Sequence, residues 1–184
     1  MKNTAIIVVD MLYDFIDGTL ACQGADEAVK QTLSFIKAHP ELPLVFIRDL
    51  HPANHSSFKE FGGIWPAHCV QGTHGAEIHK DLAPYADEEG LVFYKGEDPA
   101  VEQYSGFEGR NEAGQGMGEV LRLMEIEQVL VCGIATEFCV RNTAEDLLKD
   151  GFQVSVLQNC LAWVDAKGHR KALEEMEKEG IKLS

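Results

Sequence analysis

The sequence has few basic residues, with 16 lysines and arginines against 30 acidic residues and a formal net charge of −14. It has no basic stripe that would release counterions from a phosphate backbone, so we expect neither nucleic acid nor an anionic membrane surface as a partner. Long apolar runs are also lacking. The first apolar run, residues 6–9, is far shorter than the ~20 residues needed to cross a bilayer, so we expect a cytoplasmic protein.

Cysteines are few and odd in number, since the chain has five of them scattered between Cys22 and Cys160. This arrangement is not typical of a disulfide framework, so we expect reduced thiols. The sequence also lacks an internal repeat, a low-complexity tract and any composition break that would mark a linker. Because 45% of its 184 residues are hydrophobic, we predict a single domain spanning residues 1–184 with a sizeable core.

The most informative stretch is 129–151, which predicts a strand, a turn of small residues and a helix. Residues 129–132 form a short apolar run rich in β-branched side chains, typical of a parallel strand buried on both faces. Thr136 is the predicted N-cap of the following helix, and Gly151 is its predicted end. This reading places Cys139 about one turn into the helix.

A cysteine near the start of a helix lies where nucleophilic chemistry is favoured. The free amides and the macrodipole of the helix N-terminus favour the thiolate, which is the reactive form of cysteine. The amides of Ala135 and Cys139 are candidates for binding the oxyanion of a tetrahedral intermediate. The simpler alternative is that Cys139 is a small buried hydrophobic residue.

Strands and helices alternate along the rest of the chain. Apolar runs predict strands at 4–10, 42–49, 90–95 and 152–157, with a brief last strand at 181–183. Helical spacing predicts helices at 25–36, 76–82, 118–126 and 167–178. This alternation predicts an α/β fold with three layers, in which helices cover a doubly wound, mostly parallel sheet.

Charged side chains stand at the carboxyl ends of three predicted strands, where Asp10, Asp49 and Lys95 each close an apolar run. Ligands of parallel sheets bind beyond these strand ends, so we expect the three residues to meet Cys139 at one edge. Any one of them alone is more simply explained as a solvated strand end. Four such residues at the same relative place predict a functional site.

A thiol, a carboxylate and an ammonium group at one site predict covalent catalysis. We hypothesise that Asp10 takes the thiol proton, that Lys95 holds both partners in place, and that Cys139 attacks a carbonyl carbon. Asp10 would then protonate the leaving amine and later activate water. The predicted activity is that of an amidase that works through an acyl-enzyme.

Asp49 also belongs to a second group, with His51 two residues later and His68 farther along the chain. One carboxylate and two imidazoles suit a single divalent ion, either Zn²⁺, Fe²⁺ or Mn²⁺. His55 and Glu60 lie in the same loop and are candidates for a further ligand or a supporting partner. The alternative for this group is a polar surface loop.

Several segments together resemble the nicotinamidases of the isochorismatase-like cysteine hydrolase family. They are IIVVDMLYDF, DLHPANHSSF, IWPAHCVQGTHG, VFYKG, YSGFEG and GIATEFCVRNTAEDL, in chain order. The match covers essentially the whole chain, and its last segment is specific when combined with the D-x-H…H loop. The resemblance implies hydrolysis of nicotinamide to nicotinic acid and ammonia, in NAD salvage.

The resemblance also implies roles for individual residues. It places the catalytic triad on Cys139, Asp10 and Lys95. It places one divalent metal ion, with zinc as the first expectation, on Asp49, His51 and His68. A non-proline cis peptide is implied between Ile134 and Ala135. The implied substrate-binding residues are Phe15, Trp65, Ile134 and Ala135.

Other functions stay open at this point. A sister hydrolase would act on a different amide, carbamoyl or ureido substrate, although relatives with other activities generally lack the D-x-H…H set. A non-enzymatic thiol sensor could use Cys139, but it would not need Asp10 and Lys95 at neighbouring strand ends. A metal-buffering protein would not need Cys139, Asp10 or Lys95. We expect a small-molecule partner, nicotinamide, and the sequence leaves a homo-oligomer open.

Overall fold

The computed structural model describes residues 3–88 and 90–184. Its central sheet has six strands in the order β3-β2-β1-β4-β5-β6, and every neighbouring pair is parallel. The strands are β1 (Thr4–Val9), β2 (Leu44–Asp49), β3 (Val92–Lys95), β4 (Gln128–Gly133), β5 (Gln153–Leu161) and β6 (Lys182–Leu183). The predicted doubly wound α/β class is confirmed.

Helices cover both faces of the sheet. The helices are α1 (Tyr13–Ile16), α2 (Ala25–Ala38), α3 (Met117–Leu123), α4 (Arg141–Lys149) and α5 (Ala166–Glu179). Side chains of β1 alternate between two cores, because Ile6 and Val8 pack with α1 and α2 whereas Ile7 and Val9 pack with α3, α4 and α5. None of these helices, within the described residues, combines the length and apolar content needed to cross a membrane.

The topology determines where a ligand can bind. Strand order reverses between β1 and β4, which pair from Thr4↔Gln128 to Val9↔Gly133. In open parallel sheets, the crevice for a ligand lies beyond the carboxyl ends of the strands at this reversal. Asp10 follows β1 directly, and the turn that carries Cys139 follows β4.

The prediction of a helix at residues 76–82 is wrong. Short 3₁₀ turns lie at His74–Ala76 and Ala83–Tyr85 instead. Between them the backbone pairs with the segment after β1: the Tyr13 amide donates to the Glu77 carbonyl (3.2 Å) and the His79 amide to the Met11 carbonyl (2.9 Å). These bonds use groups that a helix would need for itself.

Two other predicted boundaries differ from the structure. The helix predicted at 118–126 ends at Leu123, because Glu125 takes a left-handed conformation (φ +57°) and the Ile126 amide closes back on the Leu121 carbonyl (2.9 Å), as in a Schellman motif. The strand predicted at 152–157 continues to Leu161 through a bulge, which pairs Leu161 with Gly133.

Candidate active site and metal centre

Cys139 lies on a short π-helical turn, Thr136–Val140, that leads into α4, and its side chain is buried. The peptide bond between Ile134 and Ala135 is cis, as expected from the resemblance. Thr136 is not the N-cap that the sequence suggested. Its amide and its hydroxyl both donate to the Ala162 carbonyl, at 2.9 and 3.0 Å, so the hydroxyl ties the turn to the end of β5.

Lys95 is the centre of the cluster at the strand ends. Its Nζ lies 3.0 Å from Asp10 Oδ2, 2.8 Å from Asp49 Oδ1 and 3.6 Å from Cys139 Sγ, and all four side chains are buried. The other oxygen of Asp10, Oδ1, accepts from the Asp49 amide (2.9 Å). The parallel register of β2 and β3 places Asp49 beside Lys95. The structure thus brings together the four residues that sequence analysis placed at one edge.

Burial controls the protonation of this cluster. It raises the pKa of Asp10 from 3.8 to about 6, and Lys95 opposes this rise without cancelling it. Burial by itself lowers the pKa of Lys95, but Asp10 and Asp49 outweigh it and hold that pKa well above its usual value. At neutral pH, the site therefore contains a charged lysine and an ionised Asp10.

The Cys139 thiol is neutral in the resting site. Burial raises the pKa of Cys139 well above its usual value, and Asp10 adds to this rise while Lys95 opposes it. Loss of hydration at a fully buried sulfur thus outweighs the groups that favour the thiolate. Nucleophilic attack by this sulfur would therefore require a neighbouring base that takes its proton.

The Ala135 amide is available to a developing oxyanion. Within the described residues it has no hydrogen-bond partner, although Ala135 is buried and lines the same cavity as Cys139. A preorganised donor at this place would stabilise negative charge as it develops on a carbonyl oxygen. The oxyanion role of Ala135 and Cys139 stays a prediction.

Asp49, His51 and His68 are all buried, and one ligand atom from each lies within 4.8 Å of the other two. Nε2 of His51 and of His68 lie 2.9 and 3.5 Å from Asp49 Oδ2. Both histidines donate from Nδ1 to backbone carbonyls, His51 to Gly96 (2.9 Å) and His68 to Pro66 (2.8 Å). This leaves two imidazole lone pairs and a carboxylate oxygen facing one another, a donor set that fits a divalent cation.

His55 and Glu60 do not join this group. His55 is buried, and its two ring nitrogens contact Ser57 Oγ (2.7 Å) and the Val101 carbonyl (3.1 Å). Its ring lies 4.2 Å from that of His51, so His55 supports a ligand through packing. Glu60 is exposed on the 3₁₀ turn Lys59–Phe61.

A cavity with about 390 Å³ of empty space, part of it open to solvent, connects the thiol with the metal ligands. Three of the four predicted substrate-binding residues line this cavity, namely Phe15, Trp65 and Ala135. The fourth, Ile134, is fully buried in the core and does not line it. The remaining lining residues are Leu20, Cys22, Asp49, His68, Glu102, Gln103, Tyr104, Phe138, Cys139 and Val164.

Sequence analysis missed two aromatic residues of the cavity wall, Tyr104 and Phe138. Trp65 Nε1 donates to the Tyr104 hydroxyl (3.1 Å), and the Phe138 ring packs edge-on against Trp65 with centroids 5.1 Å apart. Phe138 directly precedes Cys139 in the sequence, and this position next to the thiol could have identified it as a lining residue. Tyr104 lies in an irregular loop with no periodicity, and its signal was its place at the start of the YSGFEG segment.

Replacing Gly96 with alanine is expected to reduce binding of a divalent metal. Gly96 has φ +74°, and a Cβ there would lie 2.4 Å from His51 Cε1 and 3.0 Å from Asp49 Oδ1. The added methyl group would therefore displace two of the three ligands. Metal content per chain, measured by atomic emission after loading with zinc, should fall severalfold.

Gly114→Ala is the matched control. Gly114 has nearly the same backbone conformation (φ +77°) but nothing within 4 Å of the new Cβ. Both variants should lose about 1–2 kcal/mol of unfolding free energy because alanine is strained at positive φ, and Gly96→Ala should lose more because its Cβ also clashes with His51. Equal metal content in the two variants would contradict the packing argument.

Comparisons with known proteins agree with this geometry. A family model described as the isochorismatase domain matches residues 4–184. The nicotinamidase/pyrazinamidase of Mycobacterium tuberculosis is 38% identical, with 97% of each chain covered. Pyrazinamidase of Pyrococcus horikoshii, solved in complex with zinc, is 40% identical with a TM-score of 0.90, covering 99% of this chain and 98% of its own.

PnC1 from L. infantum, solved in complex with nicotinate, is 32% identical with a TM-score of 0.90, covering 99% of this chain and 92% of its own. The family model spans nearly all of the chain, and the relatives share its length and its fold. This chain belongs to the isochorismatase family.

Proposed function

We propose that this protein hydrolyses nicotinamide to nicotinic acid and ammonia, as a step of NAD salvage. The observation that carries the proposal is that Lys95 Nζ lies within reach of both the Asp10 carboxylate and the Cys139 sulfur, at 3.0 and 3.6 Å. This cluster opens into the same cavity as two metal ligands, Asp49 and His68. A relative solved with nicotinate, the product of this reaction, has the same fold.

The proposed reaction begins when Asp10 takes the proton of Cys139 as sulfur attacks the amide carbon. Lys95 stabilises the developing thiolate, and the Ala135 amide stabilises the oxyanion. The protonated Asp10 then donates to the leaving nitrogen, so the C–N bond breaks and ammonia departs from a thioester. Asp10 finally takes a proton from water as the water attacks the thioester, and it returns this proton to the departing sulfur, which releases the acid and restores the thiol.

We propose zinc as the bound ion, held by Asp49, His51 and His68. When bound, zinc would supply a Lewis acid that accepts the ring nitrogen of a pyridine carboxamide. Trp65 and Phe138, which pack against each other, would form one aromatic wall for the ring and exclude water from the thioester. Asp49 contributes to both groups, because one carboxylate oxygen contacts Lys95 and the other contacts the histidines.

Ammonia release from nicotinamide tests this proposal. The zinc-loaded protein should turn it over, a chelator should abolish turnover, and added zinc should restore it. Benzamide is the matched substrate because it lacks only the ring nitrogen, and it should react at least about 100-fold more slowly. No release from nicotinamide, with zinc bound and the thiol intact, would direct attention to a sister hydrolase acting on carbamoyl or ureido substrates.

The activity should have an acid limb near pH 6. Asp10 must be ionised to take the thiol proton, and its pKa is raised by burial to about 6. The kcat/KM for nicotinamide should therefore be constant above this pH and fall tenfold per unit below it. Zinc content measured at each pH serves as the control, because protonation of ligands also releases metal. A limb near pH 4 would show that Asp10 titrates as an exposed aspartate.

Other parts of the proposal concern the setting of the enzyme. A cytoplasmic location agrees with the five cysteines, which are all free and buried. One domain of residues 1–184 agrees with the single six-stranded sheet. A non-enzymatic thiol sensor is the second candidate, and it is disfavoured because a neutral, buried Cys139 reacts slowly with oxidants.

A further inference from the structure

Glu137 carries a polar contact that the proposed reaction does not use. It stands two residues before Cys139, and its Oε1 accepts hydrogen bonds from the amides of Val164 (3.0 Å) and Asp165 (2.7 Å). Val164 lines the substrate cavity. One carboxylate oxygen thus joins the turn that holds the thiol to the opposite wall of the pocket.

The contact completes the N-terminus of α5. Asp165 is the N-cap, and its side chain accepts from the Gly168 amide (2.7 Å). In a capping box the residue at position 168 would return a carboxylate to the N-cap amide, but a glycine stands there. Glu137 supplies that carboxylate from another element. A Cβ at position 168 would lie 3.5 Å from Glu137 Oε1, which is ordinary van der Waals contact, so this position can accept a side chain.

The wall held by Glu137 is larger than one residue. Gln23 and Trp163 exchange backbone hydrogen bonds (2.7 and 3.1 Å), and the Gln23 side chain donates to the Val164 carbonyl (3.1 Å). Gln23 directly follows Cys22, which lines the pocket with Leu20. Glu137 therefore adds to the two bonds from Thr136 to Ala162 in holding this side of the pocket against the turn that carries the thiol.

We propose that Glu137 is a positioning residue that fixes the Leu20–Cys22–Val164 wall of the pocket against the turn carrying Cys139. The inference rests on the proposed hydrolysis of nicotinamide. Glu137 does not contact the reacting atoms, so its loss should affect how the ring is held rather than how the thiol reacts. Positioning of this kind appears in KM more than in kcat.

Kinetics of Glu137→Ala and Glu137→Gln test the proposal. Glu137→Ala should raise the KM for nicotinamide roughly tenfold and change kcat by less than about threefold. Glu137→Gln keeps an oxygen that can accept from both amides, so its KM should stay within about twofold of the original. A KM unchanged in Glu137→Ala would overturn the proposal.

A second variant separates positioning from helix capping. In Glu137→Ala/Gly168→Glu the new glutamate can cap the Asp165 amide from within α5, so the melting temperature should return toward that of the original protein. The bridge to the Cys139 turn is still missing, so KM should remain raised roughly tenfold. Recovery of KM together with the melting temperature would show that Glu137 acts only through stability.

Hydrogen exchange distinguishes failure of this inference from failure of the proposed reaction. The Val164 amide should exchange slowly in the original protein and in Glu137→Gln, and faster in Glu137→Ala and in the double variant. This measurement needs no substrate. Suppose that the Val164 amide exchanges fast in Glu137→Ala but the original protein does not hydrolyse nicotinamide. The bridge from Glu137 would then be supported, and nicotinamide would be rejected as the substrate. Slow exchange in all four proteins would reject the bridge whatever the activity.

Discussion

Cys139→Ala is expected to lower ammonia release from nicotinamide by at least about 10⁴-fold, because it removes the sulfur that is proposed to form the thioester. The variant should fold and retain zinc, since the metal ligands lie on other elements and alanine fits the space of a thiol. Ammonia measured with a coupled enzyme, together with zinc content, checks both statements. Residual activity within a hundredfold of the original would contradict covalent catalysis by this cysteine.

Cys22→Ala is the matched control for that experiment. Cys22 is a buried thiol that lines the same cavity, but no lysine in the described part of the chain contacts it, and burial together with Glu137 raises its pKa to about 12. Its sulfur donates to the Leu20 carbonyl (3.4 Å). Its removal should change kcat less than about threefold, because it takes no part in bond formation. Comparable losses in the two variants would point to packing of the pocket rather than to nucleophilic attack.

Lys95→Met is expected to abolish activity and to lower the free energy of unfolding by about 3–5 kcal/mol. Lys95 is buried between Asp10 and Asp49, so methionine would leave two carboxylates without their shared cation. The thiolate would also lose the ammonium group that stabilises it. Urea unfolding and ammonia release measure the two effects independently.

The double variant Lys95→Met/Asp10→Asn tests the electrostatic reason for this loss. Asparagine removes one of the two unpaired charges, so part of the lost stability should return, with a coupling free energy of about 1–3 kcal/mol between the two sites. Activity should stay absent because the base is gone. Additive losses of stability would mean that Lys95 contributes through packing alone.

The site residues at the strand ends could be predicted from the sequence for a physical reason. Buried parallel strands appear as continuous apolar runs, and the sheet brings their carboxyl ends to one edge whatever the distance along the chain. The positions of Asp10, Asp49 and Lys95 could therefore be predicted, because each is the polar residue that ends such a run. The structure brings all three to Cys139, and it also groups Asp49 with two histidines.

The rest of the site depends on contacts that periodicity does not record. Tyr104 and Val164 line the pocket from irregular segments that are placed by individual hydrogen bonds, to Trp65 and to Glu137. The segment 76–82 has helical spacing, yet it pairs with the loop after β1. The protonation state of Cys139 could not be predicted from the sequence either, because it depends on burial, which raises the pKa of this thiol more than Lys95 lowers it.

The acyl-enzyme is the central claim, and partitioning to hydroxylamine tests it most directly. Nicotinamide and methyl nicotinate would form the same thioester on Cys139, so at a fixed hydroxylamine concentration both should give the same ratio of hydroxamate to nicotinate. The result holds whichever step limits the rate. A ratio that depended on the leaving group would mean that water and hydroxylamine attack the substrate directly, without a common intermediate on Cys139.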